Sequence, residues 1–262
     1  MDHILSQYEP ISLDEMRGIR LMNRTDTKFV TNIPQLLRLL ELAQSQYRVQ
    51  DIDGVRIADY YTLYFDTKSF EMYHIHQAGH TNRQKLRIRS YIDSKLDFLE
   101  VKTKDNHART KKKRTDMHHF DPLHPSLDIH FDCHDEEYQA YDAFLRTHLR
   151  FDPATVLPAL ENRFKRITLV NKALTERLTI DSSLHVHSLS TDIAQTLDNI
   201  VIIELKRDGL QYSPILAMLN QLRIKPMGFS KYCIGSALTN QNLKQNRFKT
   251  RLHTIDKIAH QN

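Results

Sequence analysis

The chain of 262 residues has only two cysteines, Cys133 and Cys233, far apart and without a CxxC or metal-ligand spacing. That excludes a disulfide framework and reads as two reduced thiols of an intracellular protein. No run of eighteen apolar residues is present, so no membrane-spanning helix is expected. The opening residues, MDHILSQYEP, lack a basic stretch followed by an apolar one, so no signal peptide is expected and a cytoplasmic location is the default. Glycine is scarce, and neither a P-loop GxxxxGK(S/T) nor a kinase Gly-rich loop or HRD motif occurs. A nucleotide, if bound, is therefore clamped by side chains rather than cradled by a glycine loop. The histidines are scattered (His118, His119, His124, His130 and His134 among them) without an HExxH spacing, and read as surface or loop residues. No Ser/His or His/Asp constellation marks a nucleophile.

What the chain does have is charge in a pattern. Lys and Arg number 37 against 32 Asp and Glu, for a net charge of +5, which permits an anionic partner without demanding one. Helical spacing of Leu36, Leu37 and Leu40 after Pro34 predicts a helix over 33–46, with others over about 135–149 and from Pro214 to about Leu222. Strand-like segments cover 24–30, 60–66, 84–92, 97–104, 110–117, 156–170, 174–181 and 200–207. The Pro-containing stretch HHFDPLHPSLDIHFD reads as a connection between two sets of strands. Many strands and few helices argue for an α+β domain on an antiparallel sheet or barrel.

In QKLRIRSY, Lys85, Arg87, Arg89 and Tyr91 alternate with Leu86 and Ile88, so one strand face carries three cations. The pattern recurs. Arg24, Asp26 and Lys28 share a parity, as do Glu100, Lys102 and Lys104, and Lys112, Arg114 and Asp116. Glu161, Arg163 and Lys165 oppose Phe164; Arg177 and Asp181 oppose Leu178 and Ile180; Glu204, Lys206 and Asp208 oppose Ile203 and Leu205. On any one strand this is most simply the wet face of a sheet. Repeated over six or seven strands it fits the inward face of a barrel, where positions alternate in and out along every strand. Unpaired buried charge is costly, so such a lumen makes sense around a polyanion and a divalent cation. Arg forks grip phosphate oxygens, Lys supplies point charges, and a strand Glu can hold Mg²⁺ or Mn²⁺.

The ordered blocks RTDTKFV, YYTLYFDT, KLRIRSY, FLEVKTK with KKKR, ENRFKRITL with TERLTID, IIELK and FSKY cover the chain from about Arg24 to Gly235. Together they resemble the VTC-type polyphosphate polymerase domain of the triphosphate tunnel metalloenzyme (CYTH-like) superfamily. The resemblance implies an α+β fold with an eight-stranded antiparallel β-barrel tunnel and flanking helices. It implies one domain over 1–262, its core at about 20–238 and a C-terminal tail at 239–262. It also implies metal-dependent transfer of the ATP γ-phosphoryl group onto a polyphosphate chain, with Mn²⁺ or Mg²⁺ as cofactor.

On the matching positions, the resemblance makes Lys28 the basic residue of the first tunnel strand and Arg87 and Arg89 the nucleotide-phosphate clamp. Lys102, Lys112 and Arg114 continue the cationic track, Arg163 and Arg177 contact phosphate from the second half, and Lys231 closes it. Lys85 and Lys206 join as phosphate-binding residues. Glu204 is the implied metal ligand; Glu100 is left open between a second metal ligand and an ion-pair partner of Lys102 or Arg87. Hydrolases of the superfamily open with ExExK. Here Arg24 stands at the first Glu, which favours the polymerase branch over a triphosphatase. The partners implied are ATP and polyphosphate or triphosphate, with room for a membrane-protein partner that takes the product. Nucleic acid is not expected, since Tyr61, Tyr64 and Phe65 fit a central-strand core better than a base-stacking platform. A triphosphatase on the same fold and a non-catalytic polyphosphate- or nucleotide-binding module stay open as alternatives.

Overall fold

The computed structural model describes residues 1–17, 24–107, 109–118, 120–125, 136–209 and 211–261. Cys133, His119, His130, His134 and most of the expected connection between strand sets lie outside the described residues. The strands are β1 Glu9–Ile11, β2 Arg24–Asn32, β3 Tyr47–Gln50, β4 Ala58–Thr67, β5 Arg83–Tyr91, β6 Leu96–Lys104, β7 Thr110–Asp116, β8 Val156–Asn171, β9 Glu176–Ser188, β10 Ile193–Leu197 and β11 Ile200–Asp208. The α-helices are α1 Asp2–Ser6, α2 Leu13–Arg17, α3 Ile33–Ala43, α4 Glu71–Gln77, α5 Glu136–His148, α6 Pro214–Gln221, α7 Lys231–Thr239 and α8 Lys249–Ala259.

Eight strands form one antiparallel path in the order β2-β11-β9-β8-β4-β5-β6-β7. The α+β class and the eight-strand path agree with expectation. Full barrel closure does not: among the described residues β2 and β7 are not paired. The reason lies on the free edge of β2, where the Lys28 carbonyl accepts from the Met227 N–H at 2.8 Å and Phe29 bridges to Pro226. A short extended segment thus occupies the edge that β7 would need. The sheet still curls far enough for β2 and β5 to β9 and β11 to line one cavity.

Period two governs what each strand buries. Outward-facing Phe29, Ile167, Leu169, Leu178, Ile180, Val201, Ile203 and Leu205 pack beneath Leu36, Leu39 and Leu40 of α3 and Ile215 and Leu219 of α6. Outward Leu86, Ile88, Leu99 and Val101 pack beneath Tyr141 and Leu145 of α5, together with Tyr61, Leu63 and Phe65 of β4. The apolar half of each alternating strand therefore faces a helix and leaves the charged half for the inside. α3 starts where the Asn32 side chain accepts the Gln35 N–H, with Pro34 in its first turn, and ends at Ala43, three residues short of the expected stop.

A third cluster joins Tyr60, Tyr64, Leu160, Phe164 and Val186 of the sheet to α7 and α8 through Tyr232, Ile234, Phe248 and Ile255. Residues beyond 238 thus continue the packed structure. α7 approaches the sheet so closely that a Cβ on Gly235 would lie 2.8 Å from Leu160 Cδ2. Among the described residues, no helix is long and apolar enough to cross a membrane.

Candidate phosphate-binding tunnel

The cavity inside the curled sheet has a volume of about 720 Å³. Strand register arranges its charges in rows. Lys85 of β5, Lys102 of β6 and Lys112 of β7 stand directly opposite one another, and the next row is Arg87, Glu100 and Arg114. Like charges placed opposite one another on neighbouring strands repel, so the lysine row is held at a cost that a bound anion would relieve.

On the far wall Lys28 of β2 faces Glu204 of β11, and Asp26 faces Lys206. The Lys28 ammonium contacts Glu204 Oε1, while Lys206 Nζ lies 3.1 Å from Glu204 Oε2. Burial works against the Glu204 charge, but Lys206 and Lys28 hold its carboxyl well below the usual carboxylate range. It is ionised at neutral pH.

Burial pushes the Lys102 ammonium down to about 7, with Arg87 adding to the effect. Lys85, Lys206 and Lys231 are pushed down to about 8, again mainly by burial. Arg89 is lowered by burial and by its neighbours Arg87 and Arg166. Its buried Nε has no hydrogen-bond partner among the described residues, although the side chain lines the cavity. Lys206 and Lys231 are lowered despite their carboxylate partners Glu204 and Asp181, so burial outweighs pairing on this wall.

Of the residues singled out from the sequence, Lys28, Lys85, Arg87, Arg89, Lys102, Lys112, Arg114, Arg177, Glu204, Lys206 and Lys231 all line this cavity. Two do not. Glu100 is fully buried, with Oε2 accepting from Arg87 Nε at 2.8 Å and Oε1 from Lys112 Nζ at 2.9 Å. Its geometry is that of the ion-pair alternative.

Arg163 points outward. Its guanidinium lies 4.7 Å from the Tyr61 ring centroid and donates to the Pro122 carbonyl at 2.9 Å. The phosphate contact expected of Arg163 is thus corrected, because its position has the parity of Ile167 and Leu169, which face the outer core. The inward cation of β8 is Arg166, which grips Asp181 of β9 through two hydrogen bonds of 2.6 and 2.9 Å. Asp181 also receives the Lys231 ammonium, which lies 4.0 Å above the Phe164 ring. Arg166 and Asp181 are not among the residues that the sequence singles out for phosphate or metal; the apolar parity of Ile167 and Leu169 is the signal for Arg166.

A VTC domain model matches residues 23–240. The chain belongs to the VTC domain family. A search of curated proteins finds no match. Among solved structures, a conserved hypothetical protein from Pyrococcus furiosus is 14% identical, with 78% of this chain and 98% of that one covered at a TM-score of 0.38. The PH1819 protein from Pyrococcus horikoshii is 11% identical, with coverage of 79% and 96% and a TM-score of 0.41. HpAC1 from Hippeastrum, a protein with a dominant triphosphatase activity, is 13% identical, with coverage of 83% and 97% and a TM-score of 0.44.

The VTC domain puts phosphate chemistry first among the tests of this cavity, and the donor set can be asked whether a divalent ion fits. Among the described residues no group of three His, Cys, Asp or Glu side chains is arranged for a metal. Glu204 nevertheless offers a cavity-lining carboxylate. One or two carboxylates with phosphate oxygens and water suffice for Mg²⁺, which does not require an all-protein cage. An ion that arrives with its phosphate ligand would need little more from the protein than this carboxylate.

Proposed function

We propose that this VTC domain is a metal-dependent polyphosphate polymerase that transfers the ATP γ-phosphoryl group to a polyphosphate chain held in the tunnel. The observation that carries this reading is the cavity wall itself. Lys and Arg side chains from seven strands and α7 converge on it, and Glu204 sits between two lysines. Phosphoryl transfer asks little covalent work of protein groups; positioning and charge neutralisation do most of it.

Arg87, Arg89 and Arg166 would grip non-bridging oxygens as forks, and Lys28, Lys85, Lys102 and Lys231 would neutralise the equatorial charge as it spreads in the transition state. The acceptor's terminal phosphate is its own nucleophile, so no general base is required. That agrees with a cavity whose lining is rich in Lys and Arg. A Mn²⁺ or Mg²⁺ ion, held by Glu204, would supply Lewis-acid neutralisation of phosphate oxygens.

The test is incubation of the purified chain with ATP and either metal. A ladder of phosphate polymers on a gel is expected. Release of free phosphate without polymer would assign the triphosphatase reaction instead, and tight binding without turnover would assign a binding module.

A further inference from the structure

Two of the sequence blocks contain a residue that phosphate binding does not use: Asp66 in YYTLYFDT and Tyr232 in FSKY. The structure brings these two together. Both side chains are 1% exposed, and the Tyr232 hydroxyl donates to Asp66 Oδ2. The carboxylate is fixed from the other side by backbone N–H groups at the end of β4 and in the first turn of α4. Thr67 N donates to Oδ1 at 2.8 Å, Met72 N to Oδ1 at 2.9 Å and Tyr73 N to Oδ2 at 2.9 Å. Asp66 is therefore a rigid anchor, and Tyr232 is the tether from α7.

The neighbours of Tyr232 show what the tether holds. Ser230 caps α7 by accepting the Cys233 N–H at 3.2 Å, and its hydroxyl also accepts Lys85 Nζ at 2.7 Å. Lys231 reaches Asp181, and Cys233 Sγ lies 3.0 Å from His76 Nδ1. Four consecutive residues thus hold four different elements: β5, β9, β4 and α4. Ser230 and Lys231 line the cavity, whereas Tyr232 is buried among Tyr64 and Tyr73 behind it. Successive helical residues point roughly 100° apart, so fixing Tyr232 fixes the rotation of α7 about its axis. Misplacing a phosphate ligand by about 1 Å is enough to cost on the order of 100-fold in rate.

We propose that the Tyr232–Asp66 hydrogen bond is a positioning device for the tunnel: it sets the rotation of α7 and so holds Lys231 and Ser230 at the cavity wall. Its use in phosphate binding rests on the reading of the cavity given above.

Tyr232→Phe tests it, since that variant removes one hydroxyl and keeps the ring against Tyr64 and Tyr73. Calorimetric titration with inorganic tripolyphosphate is expected to show affinity lowered about tenfold, the value of one hydrogen-bonded placement of a charge. In a Lys231→Ala background the same substitution should cost clearly less, because the part of its effect that acts through Lys231 is already gone and only the part through Ser230 and Lys85 remains. Wild-type affinity in Tyr232→Phe, or an equal loss in both backgrounds, would overturn the proposal.

Should the wild-type chain bind no tripolyphosphate, the phosphate reading fails. The placement of Lys231 is then decided by a second measurement, a ¹³C NMR titration of its ε-carbon, assigned by comparison with Lys231→Ala. Lys231 is buried beside Asp181, Arg166 and Arg89 and titrates low. Released by Tyr232→Phe, it should titrate higher, towards the ordinary lysine range; an unchanged titration overturns the proposal.

Discussion

Lys28 and Glu204 stand directly opposite each other on β2 and β11, with ammonium and carboxylate in contact inside the cavity. With Lys206 on its second oxygen, Glu204 is a carboxylate that pairs two half-buried cations on this wall. Glu204→Gln should therefore do two things. Metal-dependent turnover should fall by a factor of about 100 or more, as expected when a stabiliser of developing charge is lost. The free protein should also melt at a lower temperature, and saturating tripolyphosphate should restore much of the loss by supplying the missing anion. Calorimetry with and without the anion checks the second effect; retained turnover would move the metal site elsewhere.

Arg87 and Arg89 look alike in KLRIRSY but should separate on mutation. Arg87 donates to the fully buried Glu100, so Arg87→Ala leaves that carboxylate with Lys112 as its remaining hydrogen-bonded cation and should lower stability as well as affinity. Arg89 has a buried Nε without a partner among the described residues. Arg89→Ala should leave the melting temperature nearly unchanged or raise it, because one of several mutually repelling cations is removed. Its loss should appear in ATP affinity, with a smaller dependence of binding on salt. Urea unfolding beside ATP titration distinguishes the two.

Much of this tunnel was legible because one physical rule, alternation along strands, places both the core and the site. Leu86 and Ile88 mark the outside of β5 as plainly as Arg87 and Arg89 mark its inside. Where both parities of a strand carry charge, the rule loses its reference. In ENRFKR the basic residues Arg163, Lys165 and Arg166 fall on both parities, and only Ile167 and Leu169 further along reveal which is outward. Closure was not legible either, because it depends on the segment around Met227, a short extended run without strand-like alternation that pairs with the edge of β2. The helix carrying Lys231 was missed for a similar reason: KYCIGSALT has a buried glycine and little polar face, so it lacks an amphipathic stripe.

The parity of β8 makes its own prediction. Arg163→Ala should leave ATP and tripolyphosphate affinity within about twofold of wild type, since the guanidinium caps Tyr61 outside the cavity. Arg166→Ala should lower affinity by about 100-fold, and it also leaves Asp181 with Lys231 alone. Equal losses for both variants would show that the alternation has been placed wrongly.

The depressed lysines make anion binding a proton-linked event. In the free protein Lys102 sits at about 7 and Lys85 and Lys231 at about 8, below the ordinary lysine value near 10.5. A bound polyphosphate favours the ammonium forms and raises all three. The complex therefore holds more protons than the free protein between the free and bound values. Affinity is greatest below pH 7 on the protein side and should fall steadily as the pH rises from 7 to 10, with proton uptake on binding. Calorimetric titrations at pH 8.5 in two buffers of different ionisation enthalpy measure that uptake directly. The unliganded chain follows the opposite course over the same range. Its unfolded state binds more protons at these lysines than its folded state, so they make its stability increase from pH 7 to 10. Affinity falling while the stability of the free protein rises is the signature of cations held ready for an anion; lysines on a solvated sheet face would produce neither trend.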